Sequence, residues 1–484
     1  MVRRVIHKNY VLLIIAVAQF MVVLDTSIVN VALPAIFRGL HFTAPADLQW
    51  VVTAYTLTFG GFLLLGGRAA DLFGRKRVFL TAVSLFTLAS LLCALAQNSL
   101  MIEITRAVQG LTAAFMSPAA LSIVLTTFKE GKERAKALSV WGAVAAGGAA
   151  AGVLLGGILT EYLNWRWNFF VNVPVGAAVF TAALLYVPES RAKLSHNKLD
   201  LPGAVSVTVG LIALVYAISQ APSKGWLATQ TVVTLAVSVL LLAFFIWNEA
   251  RSKHALMPLS IFKVGTVAGA NMTQLPLTAS MFSMFFFISL YIQNILGYSP
   301  VLTGLGFLPI TFVIGFISIG MSHVIGKVGY RKPLLVAPLL MAGGLLYLSH
   351  ISANGSYWVD VFPGLILMAA GMGMMFISLT IAATSGVPHH ESGLASGLLN
   401  TSQQIGGALG LAILSGIATA GVKSYISSHA HGAPSKELLA QAQVYGFHNA
   451  LLVGACFALA AWFLAFFTVK QLKMDPHAEG AIPV

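Results

Sequence analysis

The sequence predicts an all-α membrane protein of fourteen transmembrane helices, with two six-helix halves and two further helices inserted between them. Three observations carry that expectation. Of 484 residues, 58% are hydrophobic and only 9% charged, with a mean hydropathy of +0.86, which leaves a water-soluble fold too little polar surface to cover itself. The apolar residues fall in fourteen runs of about 20 residues, the length that crosses a bilayer. The basic residues gather in every second connection between those runs, as they do in loops held on the cytoplasmic side.

The net charge of +13 invites comparison with nucleic-acid binders, but the cations form short clusters between apolar runs rather than one basic face. The first run is longer than a secretory h-region and carries Asp25 where a cleavage site would need small residues, so a retained helix is expected. Cys93 and Cys456 lie in separate apolar runs without metal-ligand spacing, which points to packing.

In chain order the runs centre near residues 21, 58, 87, 112, 147, 178, 210, 237, 279, 312, 342, 371, 406 and 458. An even number places both termini on one side. The N-terminus (Arg3, Arg4, Lys8) and alternate loops through Arg75, Lys132, Arg191, Arg251 and Arg331 are rich in cations. The other loops hold only Arg38, Arg166, Lys224, Lys423 and Lys436, so both termini are expected in the cytoplasm. The chain also repeats itself: GRAADLFGRKR follows the second run and HVIGKVGYRKP the tenth. That divides it into an N-terminal bundle over 1–190, two inserted helices with their linkers over 191–264, a C-terminal bundle over 265–470 and a cytoplasmic tail over 471–484. The polar stretch 421–446 is expected to be the longest outer loop, with a short helix through SKELLAQAQ.

Chemistry concentrates in four places. LDTSIVNVALP (Leu24 to Pro34) sets Asp25 inside an apolar run, where a charge is costly unless partnered or protonated and marks an ion or substrate pathway; the bland alternative is a carboxylate near a helix end that only packs. In the fourth run Glu103, Arg106 and Gln109 recur at helical spacing. Arg106 then either pairs locally with Glu103 or faces the same cavity as Asp25 and tunes its proton affinity. The loop GRAADLFGRKR needs a tight turn, for which Gly74 is suited, and puts Asp71 among cations. Gly67, Asp71, Gly74 and Arg75 are candidates for a latch between the halves, made in one conformation and broken in another. In the fifth run Gly148, Gly152, Gly156 and Gly157 form a small-residue seam that lets helices approach closely in lipid.

These segments resemble, in order, motifs of the major facilitator superfamily, in particular its fourteen-helix drug:proton antiporters, the multidrug efflux permeases. LDTSIVNVALP resembles the first-helix motif, GRAADLFGRKR the loop between helices two and three, Ile102 to Ala114 the arginine-containing motif and GAAAGVLLGG the antiporter motif. WRWNFFVNVPVG, DLPG, YIQNILGYSPVLTGLGFLP and GLASGLLNTSQQIGGALG extend the likeness along nearly the whole chain. Val153 stands where the antiporter motif usually has proline, and Gly326 stands in the second-half loop where the first has Asp71. Asp25 is the only clearly deep acid.

The resemblance implies the major facilitator fold, two pseudo-symmetric bundles around a cavity open alternately to each side. It implies proton-coupled export of lipophilic or amphipathic compounds across a bacterial inner membrane, with Asp25 and Arg106 as the proton-coupling pair. A lipid or metabolite exporter with the same coupling is the alternative. Asn30, Tyr55, Gln109, Asn271, Gln274, Gln293, Asn400, Gln403 and Gln404 are candidate substrate contacts, beside aromatics of MFSMFFFISLY. For each, hydrogen bonding between helices is the competing role. The expected partners are small molecules, protons and membrane lipids, with a periplasmic adaptor conceivable and a monomer otherwise. No HExxH, nucleotide-binding loop or Ser/His/Asp grouping is present, so no enzyme, cofactor or metal is expected; a transporter-like sensor without turnover is the remaining class.

Overall fold

The computed structural model describes residues 8–42, 45–128, 132–191, 199–252, 255–387, 391–430 and 434–471. Most of the first linker, His389 and His390, and the expected tail except Gln471 lie outside the described residues. Thirteen described helical runs are long and apolar enough to cross a membrane. They are α1 (Lys8–Gly39), α2 (Trp50–Phe73), α3 (Arg75–Ala94), α4 (Ser99–Thr127), α6 (Trp167–Tyr186), α7 (Leu201–Lys224), α8 (Thr229–Arg251), α9 (Val267–Asn294), α10 (Pro300–Val328), α11 (Arg331–Leu348), α12 (Phe362–Thr384), α13 (Ser392–His429) and α14 (Lys436–Thr468). With the 31-residue α5 (Lys132–Tyr162) they make fourteen.

Local chemistry sets the helix ends. Asn98, Asp200, Ser299 and Ser435 each accept a hydrogen bond from the backbone N–H three residues on, and Pro202 and Pro300 follow where a helix start needs no donor. Between α2 and α3 the chain turns on one residue, Gly74, at φ 105°. A Cβ there would sit in a disfavoured conformation and 2.7 Å from Glu189 Oε1.

The repeat is visible in the packing. In the first bundle α1 packs on α4, α5 and α6, α2 on α4, and α3 on α4 and α6; in the second, α9 packs on α12, α13 and α14, α10 on α12, and α11 on α12 and α14. Every pairing recurs eight helices later. The bundles meet through α2 against α13 and α5 against α10, and these two contacts exchange under the same shift. The inserted α7 lies on both α2 and α13, with α8 outside it.

At the end away from the termini the seam is tied. Ser289 Oγ donates to the Asn30 carbonyl at 2.8 Å, Gln293 Nε2 to the Val31 carbonyl at 2.9 Å, and the Val301 N–H to Glu161 Oε2 at 2.9 Å. Toward the termini, a Cβ on Gly147 of α5 or on Gly315 or Gly320 of α10 would meet nothing within 4 Å.

Two expectations are corrected. The stretch 421–446 is not a long loop: α13 runs to His429 and SKELLAQAQ opens α14, because Ser435 caps that helix. The loop that remains is short. Cys456 is exposed rather than packed, whereas Cys93 is buried beside Thr105. Two further acids are buried near helix ends rather than within a span: Asp200, 5% exposed, at the start of α7, and Glu249, 3% exposed, which accepts from the Leu256 and Met257 N–H groups near the end of α8.

Candidate functional site

Helices α1, α4 and α6 converge on Asp25, which is fully buried. Its Oδ2 accepts from Arg106 Nη1 at 2.5 Å, and its Oδ1 accepts from Gln109 Nε2 at 2.7 Å and from Asn172 Nδ2 at 3.0 Å. Arg106, 1% exposed, spends its other donors on the Gln109 Oε1 at 2.7 Å and, through Nε, on the Val51 carbonyl at 2.9 Å. Its guanidinium lies 4.3 Å from the Tyr55 ring centroid and 5.8 Å from that of Phe169, so aromatic faces cover what hydrogen bonds leave open. The Gln109 amide is fixed in orientation: its oxygen takes the arginine, while its nitrogen serves both Asp25 and Ser90 Oγ. Turned over, it would set oxygen against carboxylate.

A buried ion pair survives desolvation only when geometry and further hydrogen bonds compensate it. Here every carboxylate oxygen is bonded. The arrangement can hold one negative charge out of water and exchange it for a neutral, protonated acid if Arg106 withdraws. Arg106 is partnered with Asp25 and not with Glu103, so of the two readings left open by the spacing the cross-helix pair is the one observed.

The sequence missed two members of this network. Asn172 lay within WRWNFFVNVPVG, where an amide in an apolar run was the available signal. Ser90 carried none, since a serine in a membrane helix usually bonds its own backbone.

The candidate substrate contacts do not form one surface. Tyr55 and Gln109 are buried within the ion-pair network. Asn30 bonds its own helix, with its carbonyl and Gln293 on the α1–α9 seam. Asn271 Oδ1 accepts from Ser402, and Gln274 is buried on the same helix. Asn400 is exposed and Gln403 half-buried. Gln404 packs at Gly60 on the α2–α13 contact, its buried Oε1 without a hydrogen-bond partner among the described residues. Of the aromatic run, Met284, Phe286 and Phe287 belong to the core, while Phe282 and Phe285 are half-buried.

The glycines of α5 face two ways. A Cβ on Gly148, Gly152 or Gly156 would meet Val23, Ser27 and Ile28 of α1, whereas one on Gly157 would meet Pro300 and Val301 of α10. With Val153 in place of the motif's proline, nothing interrupts the backbone hydrogen bonds there, and α5 is one continuous helix. In the α2–α3 loop, Asp71 Oδ1 takes Arg75 Nη2 at 2.8 Å and Gly67 packs near Pro118, so the ties of this loop run within the first bundle. The carboxylate that caps α3 is Glu189, which accepts from the Lys76 and Arg77 N–H groups at 3.2 Å.

The family profile described as Major Facilitator Superfamily matches residues 15–411. The chain is 40% identical to a puromycin resistance protein of Streptomyces alboniger, over 86% of this chain and 83% of that one. It is 39% identical to a cephamycin export protein of Amycolatopsis lactamdurans (86% and 87%) and 36% identical to the multidrug resistance protein Stp of Mycobacterium tuberculosis (85% and 76%). Among solved structures, a bacterial homologue of the human lysosomal transporter Spinster, inward-facing and occupied, superposes with a TM-score of 0.67 at 14% identity, over 97% of this chain and 99% of that one.

Proposed function

This chain belongs to the major facilitator superfamily, and on that premise we propose that it exports lipophilic or amphipathic compounds in exchange for protons. It is a multi-pass membrane transporter and not an enzyme. The observation that carries the exchange reading is the Asp25–Arg106 pair, buried at the meeting of three helices with both carboxylate oxygens hydrogen-bonded. A proton cannot reach or leave a fully occluded carboxylate without movement of the surrounding helices, so coupling is built into the burial. In this reading residues 1–190 and 265–470 rock about the α2–α13 and α5–α10 contacts. The α1–α9 tie holds the outer side closed, and the inner halves of α5 and α10 part. The termini face the cytoplasm of a bacterial cell, by the distribution of cations. The relatives named for puromycin and multidrug resistance and for cephamycin export support a drug-like cargo.

The test is flux from proteoliposomes loaded with lipophilic cations or neutral amphiphiles. An imposed pH gradient should drive substrate movement, and added substrate should release protons. Substrate movement without any proton movement would remove the exchange reading and leave a facilitator.

A further inference from the structure

A groove of about 530 Å³ lies in the wall of the first bundle, with none of its lining among the described residues coming from the second. Phe73 of α2, Leu85 of α3 and Leu111 and Phe115 of α4 line it, and Arg77 and Arg191 stand at its mouth beside the α2–α3 loop. We propose that this groove binds an anionic phospholipid from the leaflet on the side of the termini, one acyl chain in the groove and the phosphate at the two arginines.

Three features fix that occupant. Along α3, Arg77 and Leu85 are eight residues apart, about 12 Å of rise, against a half-bilayer hydrocarbon depth of about 15 Å. The groove therefore runs the length of one leaflet's chain region. Among the described lining residues the walls are apolar, and the polar groups are Arg77 and Arg191 at the mouth and the threonines Thr81 and Thr112. The charge at the mouth is net positive. Glu189, the acid nearby, accepts from the Lys76, Arg77 and Ser190 N–H groups and lies 3.7 Å from Arg77 Nε. Arg191 makes no ion pair among the described residues, and the Arg77 side chain is 70% exposed. Guanidinium groups grip phosphate in two-point geometry, whereas a cationic amphiphile would meet two like charges at the entrance. The site is separate from Asp25, so it stands or falls independently of proton exchange.

The experiment uses the full-length transporter, purified and exposed to phosphatidylglycerol or phosphatidylcholine with identical chains, with retained lipid counted by native mass spectrometry. The wild type should retain one phosphatidylglycerol about tenfold more tightly than phosphatidylcholine, in line with the contribution of basic residues near anionic lipid. Arg77→Gln combined with Arg191→Gln should bring the two lipids to the same level. Thr81→Trp, a substitution at an exposed wall position that fills the groove, should abolish the tight lipid with both arginines intact. The proposal is overturned by equal retention of the two lipids in the wild type, or by a preference for phosphatidylglycerol that survives Thr81→Trp. One-for-one displacement of the lipid by tetraphenylphosphonium also overturns it, since the groove would then be a cargo site.

Discussion

The Ser289 hydroxyl donates to the carbonyl of Asn30, and Asn30 stands four residues before Pro34 in α1. A proline has no N–H to return to the carbonyl four residues back. The second bundle therefore supplies the donor that the first lacks, and Gln293 adds another to the adjoining Val31 carbonyl. The proline at the end of LDTSIVNVALP turns a defect in one helix into an adhesive spot for another.

That spot should bias the conformational balance. Ser289→Ala leaves a part-buried carbonyl unpaired at about 1 kcal/mol, a penalty present only while α1 and α9 touch. The expected outcome is a shift toward the outward-open state, seen as faster labelling of cysteines placed at the outer end of the seam. Unchanged labelling would mean that the bond does not distinguish the states.

Asp25→Asn should abolish proton-coupled flux, because the amide keeps the shape and loses the titration. It also leaves Arg106 buried without its counter-charge, a loss of about 3–5 kcal/mol. Asp25→Asn combined with Arg106→Gln should regain much of the melting temperature and none of the transport. Full gradient-driven flux in the single variant would take Asp25 out of the mechanism.

The two faces of α5 should separate in mutagenesis. A Cβ at Gly152 would lie 2.7 Å from Ser27 Cβ and 3.0 Å from the Leu24 carbonyl, so Gly152→Ala overpacks the first bundle at about 1–3 kcal/mol. Gly157→Ala presses instead on Pro300 and Val301 across the seam. The first should lower thermal stability; the second should slow turnover in proteoliposomes more than it lowers the melting temperature.

Glu189 should matter to the loop more than Asp71. Removing the carboxylate that caps α3 costs about 0.3–1 kcal/mol and leaves the Arg75 N–H to Ser190 carbonyl bond at 3.0 Å as the tie to the loop. Glu189→Gln should therefore raise hydrogen exchange at Lys76 and Arg77, whereas Asp71→Asn breaks a within-bundle pair worth less than 1 kcal/mol. Asp71 acts as a latch between the halves only if its variant changes cysteine accessibility on the two faces of the cavity.

Cargo charge follows from the count of deep carboxylates. Glu249 is held by backbone donors near its helix end, and Asp200 caps α7 while accepting from Asn248. Neither is spare for a second cationic centre. Monovalent cations or neutral amphiphiles should be carried in preference to divalent cations of similar size. Equal handling of matched compounds would place selectivity in aromatic surface instead.

Much of this was legible in the chain. Helix number, the repeat and the inserted pair follow from hydropathy and charge because a bilayer imposes length and satisfied backbone on every span. Asp25 and Arg106 announced themselves by their cost. The partners were harder to read, since an amide such as Asn172 or a hydroxyl such as Ser90 looks the same whether it bonds its own helix or a neighbour. The interhelical donor to Asn30 was likewise invisible, for it depends on which serine of α9 the packing brings opposite. The extent of α13 and α14 past their apolar centres was missed because polar helix continuing into water has no hydropathy signature.

The inserted α7 touches both α2 and α13, and its Leu211 and Val215 cover Leu57 of α2 and Ala408 and Ala412 of α13. Small aliphatic groups of this kind are as comfortable against lipid tails as against another helix. At this cluster, loss of the α7–α8 hairpin would turn aliphatic groups toward lipid, which a bilayer accepts. The hairpin is therefore not needed there to shield a polar seam, and what it contributes at that place is a bridge between the two bundles, since one helix rests on both α2 and α13.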